Sequence, residues 1–455
     1  MSTAVSGAAT IFAPATPAGK SGVAVIRVSG PAAASACQAL TGAPPPPARQ
    51  ARLRRLHDRD GRPVDAGLIL WFPAPASFTG DDVLELQCHG APAVRAALLQ
   101  ALGALPGLAP AEPGAFARRA FVNGKLDLSA LEGLADLIDA ETRAQARQAF
   151  RQLDGGLRDK VEHWREQLLQ ALAWLEADID FGADEGDVPA ALQARAMPVV
   201  AGVARAIDAA LAGMDRAERL REGLVAVLVG APNAGKSTLL NALAGREVAI
   251  VTPEAGTTRD LLEVGLELNG FPVTVIDGAG VRAAASAIEE EGVRRLLARA
   301  DQADLRVLVL DGAKPLALPA LVGPGLEARD LLVATKADLA VRSRPTRFRG
   351  EPVLWLSAHS GDGLPALLQV LAGAAEAGLA SGDQAAFNRE RHRHALSDAR
   401  QALGQFLDAA GAPEAEVALL AEELRLAVRA IGRLTGRVGV DDMLDRLFAS
   451  FCIGK

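Results

Sequence analysis

Residues Gly230-Ala-Pro-Asn-Ala-Gly235-Lys236-Ser237 make a glycine-rich turn of the phosphate-loop type. Their flanks constrain the fold more than any other feature of the chain. The run Leu224-Val-Ala-Val-Leu-Val before them is apolar and β-branched, as a buried parallel strand requires. Thr238-Leu-Leu-Asn-Ala-Leu-Ala after them reads as a helix. Strand, loop and helix in that order gather backbone N–H groups and a helix N-terminus around a phosphate. Lys236 then reaches the β- and γ-phosphates, and the Ser237 hydroxyl ligates Mg2+. Nucleotide contacts are expected from Asn233, Ala234, Gly235, Lys236, Ser237 and Thr238. A chance match in a glycine turn would not bring the strand and helix with it.

Three further elements follow in the order a guanine-nucleotide site requires. Asp277-Gly-Ala-Gly280 follows the strand-like Val273-Thr-Val-Ile. The Asp serves Mg2+ through water, and the backbone of Gly280 meets the γ-phosphate. Thr335-Lys336-Ala-Asp338 follows Asp330-Leu-Leu-Val-Ala, and a carboxylate there accepts both N–H groups of guanine's Watson–Crick edge. Ser357-Ala358 follows Val353-Leu-Trp-Leu, placed for a backbone N–H to guanine O6. Each motif alone is weak. Four in order, each at a strand end, predict a Ras-like P-loop GTPase domain, a parallel-rich sheet flanked by helices, that takes GTP rather than ATP.

A chain of 455 residues has room for two or three domains. Residues 1–125 mix short strands with helices; Gly22 to Ser29 and Val83 to Cys88 are strand-like, and 93–103 is helical. Residues 126–221 keep a helical period, broken at Gly155-Gly156 and at the acidic turn from Gly182 to Pro189. The GTPase module spans 222–378. Residues 379–455 are again mostly helical, with a break at Gly411-Ala-Pro413. The simplest arrangement inserts the module into one helical domain built from both flanks, which cover each other's apolar faces. The fold class is therefore multidomain, α/β and α.

Cys37, Cys88 and Cys452 are too few and too scattered for a disulfide framework or a zinc site, and a reducing compartment is the default. Neither a signal peptide nor a long uncharged apolar run is evident, so a cytoplasmic location without a membrane span is expected. A net charge of −7 argues against generic nucleic-acid binding. Any RNA contact must be a local basic patch. Arg49, Arg52, Arg54 and Arg55 read as a solvated loop. Arg389, Arg391, Arg393 and the arginines from Arg425 to Arg437 are the candidates for such a patch, though solvated helix faces are the favoured reading.

Ras-like switches carry a Gln after the Asp-x-x-Gly element to orient water. Val281 stands there and cannot do so. Hydrolysis then needs another group, another ion or a partner. The amide oxygen of Asn233 can hold a monovalent cation beside the phosphates, stabilising developing charge as an arginine finger does. Glu289-Glu-Glu291 offers a carboxylate that could orient water, or is simply a solvated acidic helix start. Thr252 to Asp260 occupies the position of the first switch, and Thr258 is the expected Mg2+ ligand. The terminal Ser450-Phe-Cys452-Ile-Gly-Lys455 is apolar enough to dock, and its Cys is either a spectator thiol or an accessible reactive one.

Taken whole, the chain resembles the tRNA modification GTPases of the MnmE or TrmE family. The resemblance covers essentially all 455 residues. It is carried by Ala15-Thr-Pro-Ala-Gly, by Phe78 to Gly90, by Glu112 to Leu128, by Gly256-Thr-Thr-Arg-Asp260 and by the Phe-Cys-Ile-Gly-Lys terminus. It implies action with an FAD-containing partner, MnmG (GidA), on C5 of the wobble uridine of certain tRNAs, adding an aminomethyl or carboxymethylaminomethyl group. It implies a one-carbon unit from 5-formyltetrahydrofolate or a related tetrahydrofolate. An α+β folate-binding-like N-terminal domain that also makes a homodimer follows from it, as does a heterotetramer with the partner. Matching motif to motif puts Arg27, Glu85, Lys125 and Lys455 at folate contacts, and Cys452 at the cysteine important for modification. The resemblance also implies K+ activation on G-domain dimerisation, with Asn233, Thr252, Glu254 and Thr257 around K+, Ser237 and Thr258 on Mg2+, and Glu289 orienting water. The Thr252, Thr257 and Thr258 loop then belongs to the GTP contacts.

Two departures stand out. The family usually has Asp-Thr-Ala-Gly where this chain has Asp277-Gly-Ala-Gly280, which loosens the switch. Thr335 replaces the frequent Asn of the guanine motif; a hydroxyl partly replaces the amide in holding the loop. The rival reading is a ribosome-linked assembly or signalling GTPase without covalent chemistry of its own.

Overall fold

The structure is a computed structural model. It describes residues 9–181, 189–250, 262–277, 303–319, 325–340, 344–379, 387–411, 416–437, 444, 447, 448, 451 and 454. Contacts divide the chain into two compact units, one of Met1–Ala135, Gln152–Met197 and Asp408–Lys455, the other of Asp136–Arg151 and Pro198–Leu407.

The first unit holds six strands, β1 (Thr10–Pro14), β2 (Ser21–Ser29), β3 (Arg52–His57), β4 (Pro63–Phe72), β5 (Val83–Gly90) and β6 (Leu108–Pro110), in the order β3-β4-β5-β2-β1-β6. All neighbours pair antiparallel except β1 with β6. Strand alternation sorts the residues by face. Ala24, Ile26, Val28, Leu84 and Leu86 pack against Cys37 and Leu40 of α1 (Ala33–Thr41) and Leu98 and Leu102 of α2 (Pro92–Gly103). Arg27 and Glu85, directly opposite in register, alternate with those core residues.

Two features of this unit differ from the sequence reading or sharpen it. The arginine-rich stretch expected as a solvated loop contributes an edge strand, β3. Pairing with β4 and burial of Leu56 outweigh its polar composition. Arg54 there donates to the carbonyls of Ala43 and Pro44, which fastens the loop after α1. The chain end also packs inward. Phe448 and Phe451 join Ala117 of α3 (Ala115–Val122) and Leu128 and Leu131 of α4 (Leu128–Asp139). Gly454 lies so close to Pro14 that a Cβ would come 2.1 Å from its carbonyl oxygen, in a backbone conformation (φ +98°) that glycine tolerates.

Helices α5 (Arg143–Leu153), α6 (Gly156–Phe181) and α7 (Pro189–Glu222) follow. Gly155, at φ +99°, makes the break between α5 and α6. The expected acidic turn lies outside the described residues. The second unit carries β7 (Leu224–Gly230), α8 (Lys236–Ala244), β8 (Ala249–Ile250), β9 (Leu262–Leu268), β10 (Phe271–Asp277), β11 (Leu305–Asp311), β12 (Asp330–Thr335), β13 (Arg347–Phe348), β14 (Glu351–Trp355) and α9 (Leu364–Leu379). Its sheet runs β13-β14-β12-β11-β7-β10-β9-β8, parallel from β14 to β10. The central strands are apolar on both faces because both are covered.

Helices α10 (Glu390–Ala410) and α11 (Val417–Gly432) complete the chain. In the second unit, Arg393 and Arg400 of α10 pair with Asp215 and Asp208 of α7, each at 2.7 Å. Arg389 reaches Asp136 at 2.6 Å. Segments before and after the nucleotide domain are thus joined side chain to side chain. In the first unit, Arg425 of α11 pairs with Glu176 of α6 at 3.1 Å. The Leu192–Glu222 part of α7 is long and apolar enough to cross a membrane by length and composition. Its Asp208 and Asp215 are engaged by α10, as in a helix packed against protein.

Asp178 of α6 is 5% exposed and its Oδ2 has no hydrogen-bond partner. Burial raises its pKa. Ionised Asp178 therefore opposes folding: the raised folded-state value keeps its stability contribution at low pH and removes it as pH climbs through that value. Asp178→Ala, which also improves helix propensity, should stabilise the protein by about 1 kcal/mol at neutral pH. Thermal unfolding of both proteins at pH 5 and pH 8 checks it; the gain should be larger at pH 8.

Candidate functional site

Gly230 ends β7 where that strand runs closest to β11; a Cβ there would sit 2.6 Å from the Val309 carbonyl oxygen. Asn233 (φ 62°) and Gly235 (φ +97°) then turn the chain through left-handed conformations into α8. No side chain caps α8, so the N–H groups of its first turn are left for an anion. Lys236 is 5% exposed and donates to the carbonyls of Gly230 (2.8 Å) and Ala231 (3.0 Å). Burial lowers its pKa, and the Asp277 carboxylate pulls the other way. Ser237 Oγ donates to Asp277 Oδ2 at 2.5 Å, so the two oxygens expected near a divalent cation are already together. Thr238 follows on the first turn of α8.

The far end of the site is tied to this loop. Thr335 Oγ1 lies 2.5 Å from the Ala234 carbonyl and 3.1 Å from that of Leu310. A single hydroxyl thus fastens the phosphate loop to the ends of β11 and β12. Lys336, itself left-handed (φ 54°), donates to the Asn233 carbonyl at 2.8 Å and to Asp311 Oδ2 at 2.9 Å. Asp338 is exposed, and a hydrogen bond with Ser357 holds its carboxyl below the usual range, so it is an acceptor at neutral pH. Ser357 is buried and begins the turn that carries Ala358. A carboxylate facing outward beside a buried hydroxyl suits a flat base with two adjacent N–H donors. Asp311 was not singled out from sequence. The signal was present, an apolar strand ending in Asp311-Gly312, but its partner is Lys336, distant in the chain.

A second cluster lies in the first unit. Arg27, Glu85 and Lys125 line one cavity of about 320 Å3, with Arg49, Phe72 and Phe78. Arg27 Nε and Nη2 reach Glu85 Oε1 at 3.0 and 2.9 Å. The Arg27 guanidinium carbon is 5.5 Å from the Phe78 ring centre, and that of Arg49 is 5.6 Å from Phe72. Gly80 (φ +82°) lets this region close; a Cβ there would come 2.9 Å from Asn123 Cβ and 3.3 Å from Lys125 Cγ. Arg49, read from sequence as part of a solvated loop, is a wall of the cavity. Thr252, Glu254, Thr257, Thr258, Gly280, Val281, Glu289, Cys452 and Lys455 lie outside the described residues.

Two family models match. Residues 10–125 match the GTP-binding protein TrmE N-terminus, and residues 128–452 match the MnmE helical domain. The chain is 55% identical over 449 residues to a tRNA modification GTPase MnmE of Methylobacterium sp. (strain 4-46), covering 98% of this chain and 99% of that one. It is 51% identical over 446 residues to that of Paramagnetospirillum magneticum, with the same coverage. The chain belongs to the MnmE (TrmE) family. It is a GTPase of tRNA modification.

For an MnmE family member the arginines of the helical segments deserve a census, since RNA is a polyanion. Arg389, Arg393, Arg400, Arg425, Arg429 and Arg437 all lie within ion-pairing distance of carboxylates. They hold helices together or sit in local pairs, where the sequence reading weighs solvated helix faces against RNA contacts. The guanine-side departure of this MnmE chain can be tested directly. Thr335→Val keeps shape and deletes the hydroxyl bonded to Ala234 and Leu310. It should weaken GTP affinity about fivefold to tenfold, the worth of the one buried hydrogen bond its O–H donates, shared between two carbonyls. Titration with a fluorescent GTP analogue measures it.

Proposed function

We propose that this enzyme couples K+-stimulated GTP hydrolysis to modification of C5 of the wobble uridine of certain tRNAs. It works in the cytoplasm as a homodimer, with an FAD-containing partner of the MnmG type in a heterotetramer. The proposed layout is an N-terminal folate-binding and dimerisation domain (1–125), a helical domain in two parts (126–221 and 379–455) and an inserted GTPase domain (222–378). The observation that carries the reading is the cavity itself. Three side chains assigned to folate only by motif, Arg27, Glu85 and Lys125, line one space. Its planar guanidinium, carboxylate and aromatic walls suit a flat heterocycle with donors and acceptors on its edge. Gly454, next in sequence to Lys455 and two residues from Cys452, packs on Pro14 of the same sheet. A tetrahydrofolate held there would supply the one-carbon unit; Arg27 and Glu85 would orient its ring, and Lys125 and Lys455 would balance its charge.

On the nucleotide side, Lys236 and the α8 N-terminus hold phosphate, Ser237 and Thr258 hold Mg2+, and Asp338 accepts from guanine. Asn233 presents its side chain from a left-handed position within the phosphate loop. With Thr252, Glu254 and Thr257 it forms the proposed K+ site, filled when two G domains meet, and Glu289 orients the attacking water in place of the Gln that Val281 replaces.

GTP turnover should be at least about tenfold faster in K+ than in Na+, the order expected for a positive charge placed on the transferring phosphoryl group. Equal rates would remove the cation from the scheme. Cys452→Ser should abolish modification of tRNA, read by mass spectrometry of wobble nucleosides, while GTP hydrolysis stays near wild type. Loss of both would make the tail structural.

A further inference from the structure

Helix α5 carries Arg143, Arg147 and Phe150 at a spacing of four and three residues, which sets them on one face. Both arginines are exposed, and among the described residues neither has an ion pair or hydrogen bond to a side chain. That distinguishes them from the paired arginines of α10 and α11. Phe150 is 55% exposed and is the one aromatic among the exposed large apolar residues described. Acidic neighbours on the same face are confined to the two ends, Glu141 before the helix and Asp154 after it.

The opposite face is fixed. Ala144 is 8% exposed and belongs to the core of the nucleotide-domain sheet; its N–H donates to the Gly270 carbonyl at 3.3 Å. Gln145 and Gln148 donate their side-chain amides to the carbonyls of Arg221 and Ala217 in α7, each at 3.0 Å. The helix is therefore a rigid support holding two unneutralised guanidinium groups and an aromatic ring toward solvent.

We infer that this face of α5 binds the tRNA substrate. Arg143 and Arg147 contact backbone phosphates, and Phe150 stacks on an unpaired base. Cations beside an exposed ring are the pair of chemistries that single-stranded RNA offers partners for, phosphates and base faces. A protein partner would have to bring an apolar pocket and two carboxylates in matching positions, whereas a single-stranded RNA offers base faces and a phosphate at every nucleotide. With a net charge of −7, long-range attraction of the whole chain for RNA is poor, so contact must come from a local patch free of carboxylates. The inference rests on the tRNA-modification reading and adds the surface that reading lacks.

The test is fluorescence anisotropy of a labelled tRNA transcript with the full-length protein at several salt concentrations. The double substitution Arg143→Glu with Arg147→Glu should weaken binding at least about tenfold and lower the slope of log K against log salt by about 2, one unit per phosphate contact. Phe150→Ala should weaken binding about fivefold or more with the salt slope unchanged, as loss of stacking does. GTP hydrolysis without tRNA should stay at the wild-type rate in all variants, which certifies their fold. Wild-type binding matched by the double variant at every salt concentration overturns the inference and leaves the proposed function standing. Unchanged tRNA binding with lost association to a protein partner overturns it in favour of a protein interface. No binding of tRNA by the wild-type chain overturns the inference and counts against direct tRNA handling in the proposed function as well.

Discussion

The hydrogen bond from Ser237 to Asp277 joins the phosphate loop to the end of β10, and much of the nucleotide domain is arranged around that junction. Two oxygens at 2.5 Å, one on a fully buried carboxylate, are stable only while the surrounding strands keep their register. β7 and β10 pair in parallel up to Leu228 and Asp277, which delivers both the loop and the carboxylate to the same sheet edge. β10 also pairs antiparallel with β9 along its whole length. The segments before β9 and after β10, where the two switches are expected, thus leave from one end of this hairpin. Its other end, the Asn269–Gly270 turn, meets α5 through the Ala144 N–H.

Thr335 fixes the second dimension of the site. The base-recognition strand and the phosphate loop are distant in sequence, and the hydroxyl spans them by contacting Ala234 and Leu310. Lys336 repeats the connection through Asn233 and Asp311. Phosphate and base subsites are therefore tied to each other through two side chains. The Thr that departs from the family's usual Asn keeps that fastening, with one donor where an amide has two.

The parts legible in the sequence were those whose signal is local. β7, the phosphate loop and α8 announce themselves by an apolar run, two glycines and a helical period within about 20 residues. So do the strand ends bearing Asp277 and Thr335. β3 was not legible because its arginines mask a strand that exists only through pairing with β4 and the burial of Leu56. Arg49 looked solvated for the same reason; its partners Phe72 and Ala76 come from later in the chain. The joining of the two helical flanks was legible as a need, since amphipathic helices require cover. Its form, Arg393 on Asp215 and Arg400 on Asp208, was not, since charges at helical spacing look the same paired or free.

That last ambiguity bears on how the chain handles RNA. An arginine bound to a carboxylate has its charge already neutralised, so a phosphate brought to it gains little net free energy. Arg389 before α10, Arg393 and Arg400 of α10 and Arg425 of α11 are held in this way. Only cations whose nearest carboxylates lie out of reach give RNA the full gain of released counterions. Arg143 and Arg147 meet that condition on a helix whose other face is part of the nucleotide-domain core. Ala144, next to Arg143, donates its N–H to the Gly270 carbonyl, so the proposed RNA face lies on a helix seated against the hairpin that carries Asp277. Linkage would be reciprocal here: nucleotide state changes RNA affinity at α5 only to the extent that RNA binding shifts the same hairpin.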